Sequence, residues 1–173
     1  MVVDPEVHTD QRGVFVETWR REWVSGGREI AQANRVDRLA GSLVGLHYHL
    51  LQTDFWYVVA GRARVVLHDL RVGSPTEGAT ETFDLGGDGA ACHRGVYIPA
   101  GVAHGFAALS DMTMTYLVDR PYDPDDELGL AWDDQEVAAD WGLANPVLSD
   151  RDRANPPRSE IPDRLRPVHP GES

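Results

Sequence analysis

Three histidines stand where they can do chemistry. His47 and His49 lie two residues apart in the β-like run Gly41-Ser42-Leu43-Val44-Gly45-Leu46-His47-Tyr48-His49. Alternate residues of a strand share a face, so both imidazoles can enter one cavity. His104 lies far downstream, in Ile98-Pro99-Ala100-Gly101-Val102-Ala103-His104-Gly105-Phe106, where Pro and Gly make a turn before another apolar run. Imidazole titrates near neutral pH and also ligates divalent metals. Converging histidines therefore either move protons or hold an ion.

Strands must position them. Short runs rich in Val, Tyr, Phe and Trp predict strands at Val14–Trp19, Ser42–Leu50, Phe55–Leu70, Thr80–Leu85, Val96–Ile98, Gly105–Leu109 and Thr113–Val118. Gly61, Gly73-Ser74-Pro75, Gly86-Gly87 and Pro99-Ala100-Gly101 punctuate them. Many short strands with such turns predict an all-β fold, a jelly-roll barrel or sandwich of the cupin type. Helix signals are few, at Arg20–Val24 and Gln135–Trp141. Residues 1–154 are expected to form one domain. Residues 155–173 carry Pro156, Pro157, Pro162, Pro167 and Pro170, and predict a tail on the surface or without fixed structure.

Composition narrows the partners. A length of 173 residues allows one domain with a real core. With 42% hydrophobic and 25% charged residues the chain reads as soluble and globular. The net charge of −12 argues against nucleic acid and anionic membrane, which both demand a positive field. Cys92 is the single cysteine, so no intrachain disulfide forms and a reducing, cytoplasmic setting is expected. No apolar stretch reaches the length of a membrane span.

Several segments fall in register with one family. Asp10-Gln11-Arg12-Gly13-Val14-Phe15-Val16-Glu17 resembles a D-x-R-G-x-F-x-E opening, and Gln32-Ala33-Asn34 a Q-x-N strand. Gly45-Leu46-His47-Tyr48 resembles R-G-L-H-Y without its arginine. Asp69–Thr76 is similar to D-I/L-R-x-x-S-P-T, and Ile98–Phe106 to I-P-x-G-x-A-H-G-F. Tyr116 and Tyr122 fall in Y-x(5)-Y, followed by Trp132-Asp133, and Leu148–Asp152 is similar to L-S-x-K/R-D. Together these resemble the dTDP-4-dehydrorhamnose 3,5-epimerases, cupin-fold enzymes acting on nucleotide-linked 4-keto-6-deoxyhexoses.

The resemblance implies an epimerase that inverts C3, C5 or both through an enolate. His47 would be the base, Asp152 its partner at the other ring nitrogen, and Tyr116 the acid on the opposite face. A phenol with a pKa of about 10 stays protonated at neutral pH. Arg12 would contact phosphate. Phe15, Glu17, Gln32 and Asn34 would line the nucleotide pocket, with His104 and Tyr122 also at the substrate. No cofactor is implied. A homodimer is implied too, although only Met1–Thr9 precede Asp10, where the family has a strand exchanged between subunits.

Two positions depart from the pattern. The family's arginine is Val44 here, and its lysine aligns with Asp54 by counting back from Gly61. Two unit charges 4 Å apart interact by roughly 4 kcal/mol at an effective dielectric near 20, so an ionised Asp54 would oppose an enolate. Arg35, Arg38, Arg62 and Arg64 are candidate replacements for phosphate binding that the sequence does not place. The same departure supports a rival. Gly41-x(5)-His47-x-His49-x(4)-Asp54-x(6)-Gly61 is similar to the first metal-cupin motif, with His104 from the second. His47, His49, Asp54 and His104 would then hold a divalent metal in an isomerase or oxygenase acting on another substrate. A third reading is a non-catalytic descendant that binds a nucleotide sugar.

Overall fold

A computed structural model describes residues 1–24, 28–88 and 90–171. Its strands are β1 (Val2–Val3), β2 (Val7–Asp10), β3 (Gly13–Val16), β4 (Gln32–Arg38), β5 (Leu43–Tyr48), β6 (Asp54–Ala60), β7 (Arg62–Asp69), β8 (Thr80–Gly86), β9 (Gly95–Ile98), β10 (Val102–Ala108), β11 (Met112–Val118) and β12 (Leu128–Gly129). One sheet has the order β1-β9-β6-β11-β4 and a second β12-β5-β10-β7-β8, while β2 and β3 pair only with each other. The paired strands run antiparallel throughout. This is the expected all-β, cupin-like sandwich.

The main core lies between the sheets. Trp56, Val58, Ile98, Met112 and Met114 of the first sheet pack on Val65, Leu67, Leu85, Val102 and Phe106 of the second. The second sheet is also covered outside, where Leu43, Leu46, Tyr48, Val66 and Ala103 meet Leu130, Val137, Trp141 and Ile161. This double burial explains why β10 is buried along its whole length and does not alternate between buried and exposed positions. On the outside of the first sheet, Trp19, Trp23 and Val24 pack on Phe55 and Tyr57.

The structure corrects several expectations. The run Phe55–Leu70 is two strands, because Gly61 turns at φ +76 with no room for a Cβ beside the Asp111 carbonyl. Arg20–Val24 yields only a 3-10 turn, Arg21–Trp23. Gln135–Trp141 contains a single helical turn, closed by Ala138 N–H to the Asp134 carbonyl, and Ala138 then adopts φ +51, which ends it. The Pro-rich segment is docked. Ala131 N–H donates to Pro156, Val72 N–H to Pro167 and His169 N–H to Val72, and Ile161 is buried. Proline removes donors but leaves carbonyls, and those carbonyls anchor the segment.

Candidate active site

The two sheets enclose a cavity of ≈ 220 Å³ that His47, His49, Asp54, His104 and Tyr116 line together. Strand register builds it. On the second sheet His104 of β10 sits opposite His47 of β5. The close approach there requires glycine, since a Cβ on Gly45 (φ +107) would lie 2.7 Å from the His104 carbonyl oxygen. On the first sheet Tyr116 sits between Asn34 and Trp56. Along β4 burial alternates, so Gln32, Asn34, Val36 and Arg38 share the inner face.

His47 Nε2 lies 2.6 Å from Asp152 Oδ1. The helix Asp150–Arg153 delivers Asp152, and its N-cap Ser149 accepts from Asp152 N–H while donating to Asp152 Oδ2. Burial works against the Asp152 carboxylate, but hydrogen bonds from His47, Ser149 and the Gly45 amide outweigh it and hold its pKa below the usual value. An ionised Asp152 accepts only, so His47 Nε2 carries a hydrogen, and in the neutral ring the lone pair is on Nδ1. Glu127 Oε1 lies 3.6 Å from that Nδ1. Burial, reinforced by the charges of Asp54 and Glu127, raises the Tyr116 pKa, so the phenol stays protonated.

The loop between β5 and β6 is held by carboxylates. Asp126 accepts from the amides of Leu50, Leu51 and Gln52, and Asp119 from Thr53 N–H. This fixes His49 at one end and Asp54 at the other. Asp54 accepts from Gln52 Nε2 at 2.9 Å and Trp56 Nε1 at 3.1 Å. Burial pushes the His104 pKa down to about 4, which keeps that ring neutral. A somewhat larger pocket of ≈ 260 Å³ under the C-terminal segment contains Arg158 and Glu136. Those two charges pair with each other at 2.8 Å.

The expected residues divide into two groups. His47, Asp152, Tyr116 and His104 come together, with Gln32 and Asn34 further along the inner face and joined by a 2.9 Å hydrogen bond. Arg12 and Glu17 do not reach the cavity; Arg12 pairs with Asp10 and Glu17 with Arg20. Phe15 is 63% exposed on the β2–β3 hairpin. Tyr122 is likewise exposed, although its N–H donates to Gln32. The four-residue metal set is not assembled. His47 has turned to Asp152, and only His49, Asp54 and His104 gather.

Arg38, Gln52 and Glu127 also line the cavity. Arg38 was one of four candidate arginines; counting by twos puts it on the strand face of Gln32 and Asn34, but which way that face looks was not readable from spacing. Glu127 had no such signal, since it arrives on a loop. Of the other candidate arginines, Arg35 pairs with Asp37, and Arg64 with Asp84 and Asp140.

A cupin-like sandwich with a His–Asp pair and a phenol in one cavity defines a class of acid–base enzymes. Residues 1–160 match the family model of the dTDP-4-dehydrorhamnose 3,5-epimerases. The dTDP-4-dehydrorhamnose 3-epimerase of Streptomyces niveus is 36% identical over 87% of this chain and 75% of its own length. Among solved structures, NovW, a 4-keto-6-deoxy sugar epimerase from Streptomyces spheroides, superposes with a TM-score of 0.88 at 35% identity, covering 97% of this chain and 87% of that one. The 3,5-epimerase RmlC of Legionella pneumophila, solved with dTDP-4-keto-L-rhamnose, has a TM-score of 0.89 at 31% identity, over 97% and 92%. This chain belongs to the dTDP-4-dehydrorhamnose 3,5-epimerase family. No helix among the described residues is long and apolar enough to cross a membrane.

Proposed function

We propose that this protein epimerises a dTDP-4-keto-6-deoxyhexose at C3, C5 or both. The observation that carries the reading is the His47–Asp152 pair sharing one cavity with the Tyr116 phenol. His47 Nδ1 takes the proton from a carbon beside the ketone, and the C–H electron pair becomes the enolate. The Tyr116 hydroxyl then gives its proton to the opposite face of the carbon. Solvent exchange afterwards returns a proton from His47 to the phenolate. Positioned acid–base groups of this kind contribute roughly 10²–10⁴-fold each.

Arg38 supplies the cation that Val44 lacks. It forms no ion pair among the described residues, and its Nη1 donates only to the Asp37 carbonyl. This leaves the guanidinium available to a pyrophosphate at the cavity. A homodimer completes the nucleotide pocket. The β2–β3 hairpin has no sheet neighbour, exposes Val7, Val14 and Phe15, and carries Arg12 and Glu17 away from its own cavity. A second copy would cover that apolar face and bring those residues to a site. The nucleotide-sugar substrate and the single free Cys92 fit a cytoplasmic setting.

The test is proton exchange. With dTDP-4-keto-6-deoxyglucose in D₂O, deuterium should appear at C3, C5 or both by NMR, and not with His47→Asn. Absence of exchange at both carbons, while a known epimerase exchanges in parallel, refutes the reading.

A further inference from the structure

His49 and His104 are oriented alike by the backbone. His49 Nδ1 lies 2.8 Å from the Asp126 carbonyl oxygen, and His104 Nδ1 lies 2.9 Å from that of Val102. A carbonyl only accepts, so each Nδ1 carries a hydrogen and Nε2 is the nitrogen left for a ligand. Both Nε2 atoms face the same carboxylate. His49 Nε2 is 4.0 Å from Asp54 Oδ1, and His104 Nε2 is 3.9 Å from Asp54 Oδ2. Neither spacing is a hydrogen bond. His49, Asp54 and His104 are all buried. Gln52 Nε2 bridges His49 Nε2 at 3.2 Å and Asp54. His104 Nε2 has no hydrogen-bond partner among the described residues, although His104 is only 5% exposed. Electron-pair donors thus converge on one point with too few hydrogens between them.

We propose that His49 Nε2, His104 Nε2 and the Asp54 carboxylate bind one divalent first-row transition ion. Nitrogen and oxygen ligands sit about 2.0–2.2 Å from such an ion, so a ligand pair can span up to about 4.2 Å. The two measured separations lie inside that limit. All three donor atoms fall within 4.8 Å of one another, which adjustments of about half an ångström close. Histidine ligands typically donate their second N–H to a backbone carbonyl or carboxylate, as both rings do here. Two imidazoles and one carboxylate suit Zn, Fe, Mn, Co or Ni better than Mg or Ca. Gln52 rotates away on binding or turns its carbonyl oxygen to the ion. His47 takes no part, since Asp152 holds it.

The consequence for catalysis rests on the epimerase reading. The ion faces the same cavity as His47 and Tyr116, at the position where the aligned lysine is Asp54. It would draw electrons from the ketone oxygen and offset the charge of Asp54 there.

The experiment uses the full chain, stripped with chelator and titrated with Co²⁺ and Zn²⁺. Bound metal is read by elemental analysis, site geometry by the visible absorption of Co²⁺, and stability by Tm. The expected result is one equivalent, a Co²⁺ spectrum of a nitrogen–oxygen site, and a Tm rise of roughly 5–10 °C at a hundredfold excess over Kd. Asp54→Asn and His104→Gln should each lose the equivalent while keeping the fold by circular dichroism; His47→Asn should retain it. Failure to bind, or binding that survives both variants because it is an adventitious ion on a surface histidine, overturns the proposal. The D₂O exchange run separates the two readings. Exchange without metal binding removes the site and leaves the epimerase, whereas metal binding without exchange does the reverse.

Discussion

His47 and Asp152 lie 105 residues apart in the chain, and their side chains meet at 2.6 Å. That contact ties β5 to the C-terminal helix and selects which nitrogen of the imidazole is free. Replacing His47 with Ala should lower kcat by roughly 10²–10⁴-fold with nucleotide binding unchanged, because in the proposed reaction the ring acts on the sugar and not on the dTDP. Steady-state kinetics and calorimetry with dTDP check it. In Asp152→Asn the amide N–H can donate to Nε2 and favour the tautomer that blocks Nδ1. A loss of roughly tenfold or more in kcat is expected, with little change in KM.

Tyr116→Phe separates the two proton transfers. The phenol has no hydrogen-bond partner among the described residues, so its removal should leave packing intact. Turnover should fall by roughly 10²-fold or more while deuterium wash-in continues, since His47 can still remove and return a proton on one face. Loss of exchange together with turnover would mean that Tyr116 positions substrate.

Arg38→Ala should raise KM by roughly tenfold and leave kcat within about threefold, since a contact made equally in ground and transition states changes binding alone. Arg35→Ala, on the outer face of the same strand, is the control. Equal effects of the two would show a loss of general positive charge.

His68 makes stability depend on pH. Its Nδ1 bonds to Thr80 Oγ1, which itself donates to the Val137 carbonyl, and its Nε2 is buried without a partner. Burial, helped by Arg158, lowers its pKa against the opposing pull of Asp134, Asp69 and Glu136. The fold therefore prefers the neutral ring. Below the unfolded value of about 6.5 the unfolded chain binds the extra proton, so stability is full above that pH and falls as pH drops. Tm measured from pH 7.5 to 5 should decline, and His68→Leu should flatten the slope.

Ile161 anchors the C-terminal segment in the outer core of the second sheet. Ile161→Ala should cost about 2–5 kcal/mol in urea denaturation. A cost near zero would mean that the segment lies loosely on the barrel.

The strand pattern, the turns and the three histidines were readable from residue order, because period-two burial and Gly/Pro punctuation are local; Tyr116 and Asp152 entered through the family resemblance. Local spacing could not show that His47 turns to Asp152 while His49 turns to the Asp126 carbonyl. A shared strand face places two side chains near one cavity, but hydrogen bonds from distant loops decide their roles. Nor could it place Arg38 among four candidate arginines, since only the pairing of β4 with β11 shows which face looks inward. That the Pro-rich segment docks on the surface, the first of its two expected states, could not be read for a related reason. Proline abolishes regular hydrogen bonding along the chain, yet it leaves carbonyls and apolar side chains free to dock elsewhere. Residue types and their order determined the fold class and the chemistry on offer. Only contacts between residues far apart in the chain determined which nitrogen of His47 meets Asp152 and which three donors face a common point.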